Sequence, residues 1–100
     1  MALQHMVWMK FGPEISQQRI EQHMEALRAL QDKVPVVQYV AAGKSLVNRA
    51  GEYTHGALIT LTGPDAMKEY EDHPEHVKVA RPLDAEAEIM AIDVDDGASE

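Results

Sequence analysis

Residues 5–11 read "HMVWMKF". On the two-residue period of a strand, His5, Val7, Met9 and Phe11 share one face, and Met6, Trp8 and Lys10 share the other. Both faces carry apolar bulk. A strand with one wet side would alternate apolar with polar residues, so this one needs cover above and below.

Downstream, the turn "GPEIS" (12–16) offers Ser16 as a helix N-cap. Ile20, Met24, Leu27, Leu30 and Val34 then recur at spacings of four and three, the pattern of an amphipathic helix. His23 flanks that stripe, either at the core edge or toward water. Pro35 ends the helix, because its ring cannot sit in a continuing turn and it pushes its predecessor toward extended geometry. "VVQYVAAG" (36–43) reads as a second strand closed by Gly43, and "KSLVNRAGEYT" (44–54) as a long polar hairpin loop or gate. "HGALITLT" (55–62) is a third strand with His55, Ala57, Ile59 and Leu61 on one face.

In "GPDAMKEYEDH" (63–73), Pro64 suits the first helical position and Asp65 the positive end of the helix dipole, with Met67, Tyr70 and the later Val77 facing inward. Pro74 restarts the helix, which is expected to run to Pro82, and "EIMAIDVD" (88–95) makes the last strand. The order β-α-β-β-α-β predicts an α+β, ferredoxin-like antiparallel sheet with its helices on one face. The other face is still apolar: Met6 and Trp8 are joined there by Leu58, Met90 and Ile92. A second copy of the chain, related by a two-fold axis, is the expected cover, making the chain its own partner in a homodimer.

One hundred residues suit one domain, expected over 1–94, followed by an acidic flexible tail at 95–100. The last eight residues hold half of the formal charge of −8, a sign that argues against nucleic acid and anionic lipid as partners. No stretch has the roughly 18 consecutive apolar residues of a membrane span. The start, "MALQHMVWMKF", lacks the features of a secretory signal, so a cytoplasmic location is expected. The absence of cysteine excludes disulfides, thiolate catalysis and Cys-ligated zinc.

Chemistry concentrates in "YEDHPEH" (70–76), which admits three readings. Asp72 or His73 can simply cap the helix begun by Pro74, leaving Tyr70 at a boundary and His76 on the surface. His73 and His76 with a carboxylate could ligate a metal, but no H-E-x-x-H or matching third histidine is present, so neither metal nor cofactor is expected. In the catalytic reading His76 is a general base, its tautomer fixed by Asp72 or a backbone carbonyl, and Tyr70 donates a hydrogen bond to a carbonyl oxygen that becomes negative.

Five stretches, "HMVWMKF", "VPVVQYVAAGK", "EYTHGALITLT", "YEDHPEHVKV" and "IMAIDVD", give residues 5–94 a resemblance to the stress-responsive A/B barrel domain family, of the dimeric α/β barrel superfamily. The resemblance implies a homodimer whose two sheets close into a barrel. It also implies diverse roles, since members include stress-associated proteins and a plant polyketide cyclase that works by intramolecular aldol condensation. On that likeness the catalytic tyrosine and histidine fall on Tyr70 and His76, the pocket histidines fall on His5 and His55, and bulky aromatic walls are replaced by Met24 and Leu27. The leading expectation is a small apolar or aromatic ligand held between sheet and helices. Val7, Met9, Met24, Leu27, Ile59 and Val77 would form the walls, and His5, His55, Tyr70 and His76 the polar contacts. The alternatives are a cofactor-free cyclase, isomerase or lyase acting next to a carbonyl, and a non-catalytic stress-related scaffold.

Overall fold

The computed structural model describes residues 2–96. The elements run β1 (Leu3–Phe11), α1 (Gln17–Lys33), β2 (Val37–Lys44), β3 (His55–Leu61), α2 (Ala66–Asp72), α3 (Pro74–Glu86) and β4 (Ala87–Asp95). Four strands form one sheet in the order β2-β3-β1-β4, and every neighbouring pair is antiparallel. This is the ferredoxin-like α+β arrangement, with the second helical region divided in two.

β1 lies inside the sheet. It pairs with β3 from Leu3↔Leu61 to Met9↔His55, and with β4 from Leu3↔Asp95 to Phe11↔Ala87. Its inner face packs under the helices, where Met9, Met24 and Leu30 are fully buried together with Ile59 and Leu61. Each such side chain contributes about 1.5–3 kcal/mol through removal from water.

α1 forms because its apolar stripe and its cap agree. The Ser16 hydroxyl accepts from Arg19 N–H at 3.1 Å, and Val34 N–H closes the far end on the Leu30 carbonyl at 3.0 Å. Ile20, His23, Met24, Leu27 and Leu30 form its buried side. The Arg28 guanidinium donates to the Ala42 carbonyl at 3.1 and 2.9 Å, and the Gln31 side-chain carbonyl accepts from Val40 N–H at 3.1 Å. These bonds fasten the helix to β2.

β2 contains a bulge: Val37 pairs with Leu61 but Tyr39 with Thr60, so Gln38 is the extra residue. Val37 and Val40 are consequently both buried although they are three apart. The strand also runs through Gly43 to Lys44, one residue beyond its expected close.

Two helix limits differ from expectation. Pro64 and Asp65 precede α2, which begins at Ala66, and Asp65 makes no side-chain cap bond. α3 continues past Pro82 to Glu86. The proline removes one backbone bond and clashes with the preceding turn, at a cost of about 3 kcal/mol. Burial of Leu83 and the ion pair of Glu86 with Arg19 hold the last turn in place.

The outer face of the sheet carries Tyr39, Leu58, Met6, Trp8, Met90, Ile92 and Val94, joined by the registers Met6↔Leu58, Met6↔Ile92 and Trp8↔Met90. Tyr39 is 51% exposed, and Met90 and Ile92 are each 49% exposed. Of the expected tail, residues 97–100 lie outside the described residues, whereas Asp95 belongs to β4 and Asp96 N–H donates to the Ala2 carbonyl at 3.0 Å. No helix among the described residues is long and apolar enough to cross a membrane.

Leu30→Ala is expected to lower the unfolding free energy by about 2–5 kcal/mol in urea titrations, because it opens a cavity between α1 and the sheet. A loss below about 1 kcal/mol would contradict this placement of the core.

Candidate functional site

A cavity of about 350 Å³ opens between the inner face of the sheet and the helices. Its walls are apolar, with Val7 from β1, Ile59 from β3, Ile89 from β4, Leu27 from α1, Met67 from α2, and Val79 and Leu83 from α3. Three rings interrupt them: His5, Tyr70 and His76.

The local fold at residues 72–74 brings two of these rings together. On one uninterrupted helix, residues six apart would lie about 9 Å apart along the axis and about 120° apart around it. Here His73 is extended (φ −65°, ψ 132°) between α2 and α3, and Pro74 opens the new helix where its missing N–H costs nothing. Tyr70 and His76 thereby meet with ring centroids 4.2 Å apart, and the His5 ring stands 5.8 Å from that of Tyr70. His73 Nδ1 accepts from Glu75 N–H at 3.1 Å, so the residue is the N-cap of α3. Among the described residues no group of three or more His, Asp or Glu side chains is placed to hold a metal.

His76 Nδ1 lies 3.1 Å from the Glu71 carbonyl. A carbonyl only accepts, so Nδ1 carries the proton and Nε2 of the neutral ring is left as an acceptor. Tyr70 is 1% exposed, and burial, followed by the nearby charge of Glu71, pushes its phenol well above the ordinary tyrosine range. It remains a neutral donor near neutral pH. No protein group among the described residues hydrogen bonds to its hydroxyl. His5 sits directly opposite Asp93 in the β1–β4 register, and its Nδ1 pairs with that carboxylate.

Of the side chains expected at the site, His5, Val7, Leu27, Ile59, Tyr70 and His76 line the cavity. Met9 and Met24 are sealed into the core instead, and Val77 is half-buried outside the lining, which α3 builds from Val79, Ala80 and Leu83. His55 shares the inner face but pairs with Met9 rather than His5, four residues and thus about 13 Å along the sheet. Its Nδ1 contacts Thr54 Oγ1 at 2.8 Å and its ring meets Phe11 edge-on at 5.4 Å. Burial, aided by Lys44, lowers its pKa and favours the uncharged ring.

Asp93 and Asp84 at the cavity escaped the sequence reading; of the two groups expected to fix the His76 tautomer, a backbone carbonyl, that of Glu71, is in place, while Asp72 pairs with Lys68. A second cluster also escaped it: Arg19 grips Glu86 with two bonds of 2.8 Å, and His23 Nε2 contacts the same carboxylate at 3.0 Å. A strand register would have placed Asp93 opposite His5. Nothing local in the sequence joins His23 to Glu86.

The model of the stress-responsive A/B barrel domain matches residues 3–96. The chain belongs to that family. Among the relatives of this stress-responsive A/B barrel protein is olivetolic acid cyclase of Cannabis sativa, 29% identical over 79 residues, which cover 77% of this chain and 78% of the cyclase. A crystal structure of an Arabidopsis thaliana protein superposes with a TM-score of 0.87 at 23% identity, covering 98% of both chains. A dimeric ferredoxin-like protein of unknown function from Jannaschia sp. gives 0.82 at 24% identity, covering 95% of this chain and 99% of its own.

The Arg19 grip, followed by the His23 contact, holds the Glu86 carboxyl at about 2, below its ordinary value of 4.5. A depressed carboxyl contributes stability that is complete above the ordinary value and is lost as the pH falls toward the depressed one. Glu86→Gln is therefore expected to melt lower than the parent at about pH 6 and to lose less on acidification to about pH 3. Parallel melting curves across that range would show that the cluster does not couple to the fold.

Proposed function

We propose that the protein is a homodimer that binds a small apolar or aromatic molecule bearing a carbonyl in the cavity beside Tyr70 and His76. One observation carries the binding reading: three polar rings converge on a cavity whose remaining lining is ten apolar residues and the carboxylates Glu71, Asp84 and Asp93. About 350 Å³ lies at the small end of ligand pockets, which suits a single ring with a short chain. The Tyr70 hydroxyl supplies a donor for the carbonyl and His76 Nε2 an acceptor.

The dimer is supported by the apolar outer face and by the dimeric description of the Jannaschia relative. A two-fold partner laid on Met6, Trp8, Met90 and Ile92 would remove that surface from water. Ile92→Asp is expected to turn a dimer into a less stable monomer in sedimentation runs at micromolar concentration. A parent chain that already sediments as a folded monomer would end this part of the proposal.

A second reading, cofactor-free acid–base catalysis, is favoured by the fixed tautomer of His76 and the retained proton of Tyr70. His76 Nε2 would take a proton from the carbon next to the carbonyl, and the Tyr70 hydroxyl would hydrogen bond to the enolate oxygen as charge develops. The olivetolic acid cyclase likeness supports this chemistry. An aromatic ketone in deuterated water tests it, with exchange at that carbon followed by NMR. His76→Ala should slow protein-promoted exchange by about 10²–10⁴-fold and Tyr70→Phe by about 10²–10³-fold. Exchange untouched by either change would remove the catalytic reading. Binding lost with no exchange in the parent would leave the ligand-holding role, and a melting shift with no effect on binding would leave only a structural one.

A further inference from the structure

We propose that the cavity selects ligands by charge, accepting uncharged guests and rejecting carboxylates and phosphates. This deepens the binding reading above and rests on it.

The charges facing the cavity can be taken element by element. β1 and β4 contribute His5 and Asp93, which pair with each other, so together they carry no net positive charge. α2 contributes Glu71 as well as Tyr70, and α3 contributes Asp84 about two turns beyond His76. α1 and β3 contribute only the apolar Leu27, Ala57 and Ile59. Among the described residues no lysine or arginine lines the space. The lysines of the two flanking helices are held elsewhere, Lys68 by Asp72 at 2.8 Å and Lys78 by Glu75 at 3.6 Å, and Arg81 of α3 does not reach the lining. Among the described residues neither Glu71 nor Asp84 forms an ion pair, although the Lys68 ammonium, held by Asp72, also lies within the field of Glu71.

Glu71 and Asp84 are exposed, so they stand at the rim, where an entering anion meets them first. Further in, an anion would leave its hydration behind for apolar walls. Sites that hold carboxylates or phosphates usually offer an arginine fork, a lysine or a row of backbone N–H groups. Here the fixed donor is one phenol, which suits a neutral carbonyl. The overall charge of −8 adds repulsion of the same sign. For the acid–base reading, the partner molecule would be a ketone, aldehyde, ester or lactone, and a free acid formed in the cavity would be driven out.

Calorimetric titration of the full chain with 4-butylbenzamide and with 4-butylbenzoate, guests of nearly equal shape, tests the idea at about pH 7.5 and low salt. The amide should bind at least about tenfold tighter. Asp84→Asn combined with Glu71→Gln, which keeps the Glu71 backbone carbonyl for His76, should cut that ratio below about threefold through a gain in benzoate affinity. Added salt should narrow the ratio for the parent. Equal affinities in the parent, or a ratio unmoved by the double substitution, would overturn charge selection while leaving ligand binding standing. Neither guest binding the parent would overturn the binding reading and this proposal with it.

Discussion

β1 is hydrogen bonded on both edges and needs cover on both faces, and most of the molecule is arranged around that requirement. Its inner side places His5 in the cavity and Met9 in the core, while its outer side presents Met6 and Trp8. Because side chains alternate strictly, a slip of one residue would exchange the two sets. Lys10 opposes such a slip. It lies on the outer side within 3.0 Å of Glu52 and 3.8 Å of Glu88, and turning it inward would bury an ammonium against the helices without those partners. One register therefore sets the histidine of the site and the apolar outer surface on which the proposed dimer rests.

The cavity depends on a second constraint, the interruption between Asp72 and Pro74. A continuous helix would have turned His76 away from Tyr70; the extended His73 redirects the chain so that the two rings meet. The imidazole of His73 then satisfies the first orphan N–H of the new helix. α3 must also remain helical long enough to bring Val79 and Leu83 over the sheet, and Pro82 works against it. Glu86 answers that strain from beyond the proline. Gripped by Arg19 and touched by His23, it ties the end of α3 to the first turns of α1. The Phe11 ring stands 5.7 Å from that of His23 and 5.4 Å from that of His55, so this cluster braces the end of the sheet away from the cavity.

What could be read from the chain follows the range of the interactions concerned. The stripe of α1, the Ser16 cap and the alternation of β3 are local patterns, and they appear where expected. The bulge at Gln38 was invisible, because "VVQYVAAG" offers apolar residues in either parity and only the register with β3 decides between them. Pro82 misled because its cost is local while its compensation, through Leu83 and Glu86, comes from α1 and the core. Met9, Met24 and Val77 show the same limit within the site. Their face was legible, but their depth was not: two methionines are sealed beneath the walls and the valine sits outside them. The residue types of "YEDHPEH" already offered Tyr70 and His76 as a pair, and the family likeness points to the same two. Asp93, and which backbone carbonyl holds His76, needed the fold.

The two central rings are not interchangeable in any proton transfer. Burial makes the phenolate of Tyr70 costly, so near neutral pH that residue can give a hydrogen bond but makes a poor base. His76 has its Nδ1 proton committed to a backbone carbonyl and its Nε2 lone pair uncommitted. Reversing the roles would require an anionic phenol in an apolar wall and a histidine that has broken its bond to Glu71, two unfavourable changes at once. Under the proposed acid–base reading, a guest carbonyl would therefore be oriented with its oxygen toward Tyr70 and its neighbouring carbon toward His76.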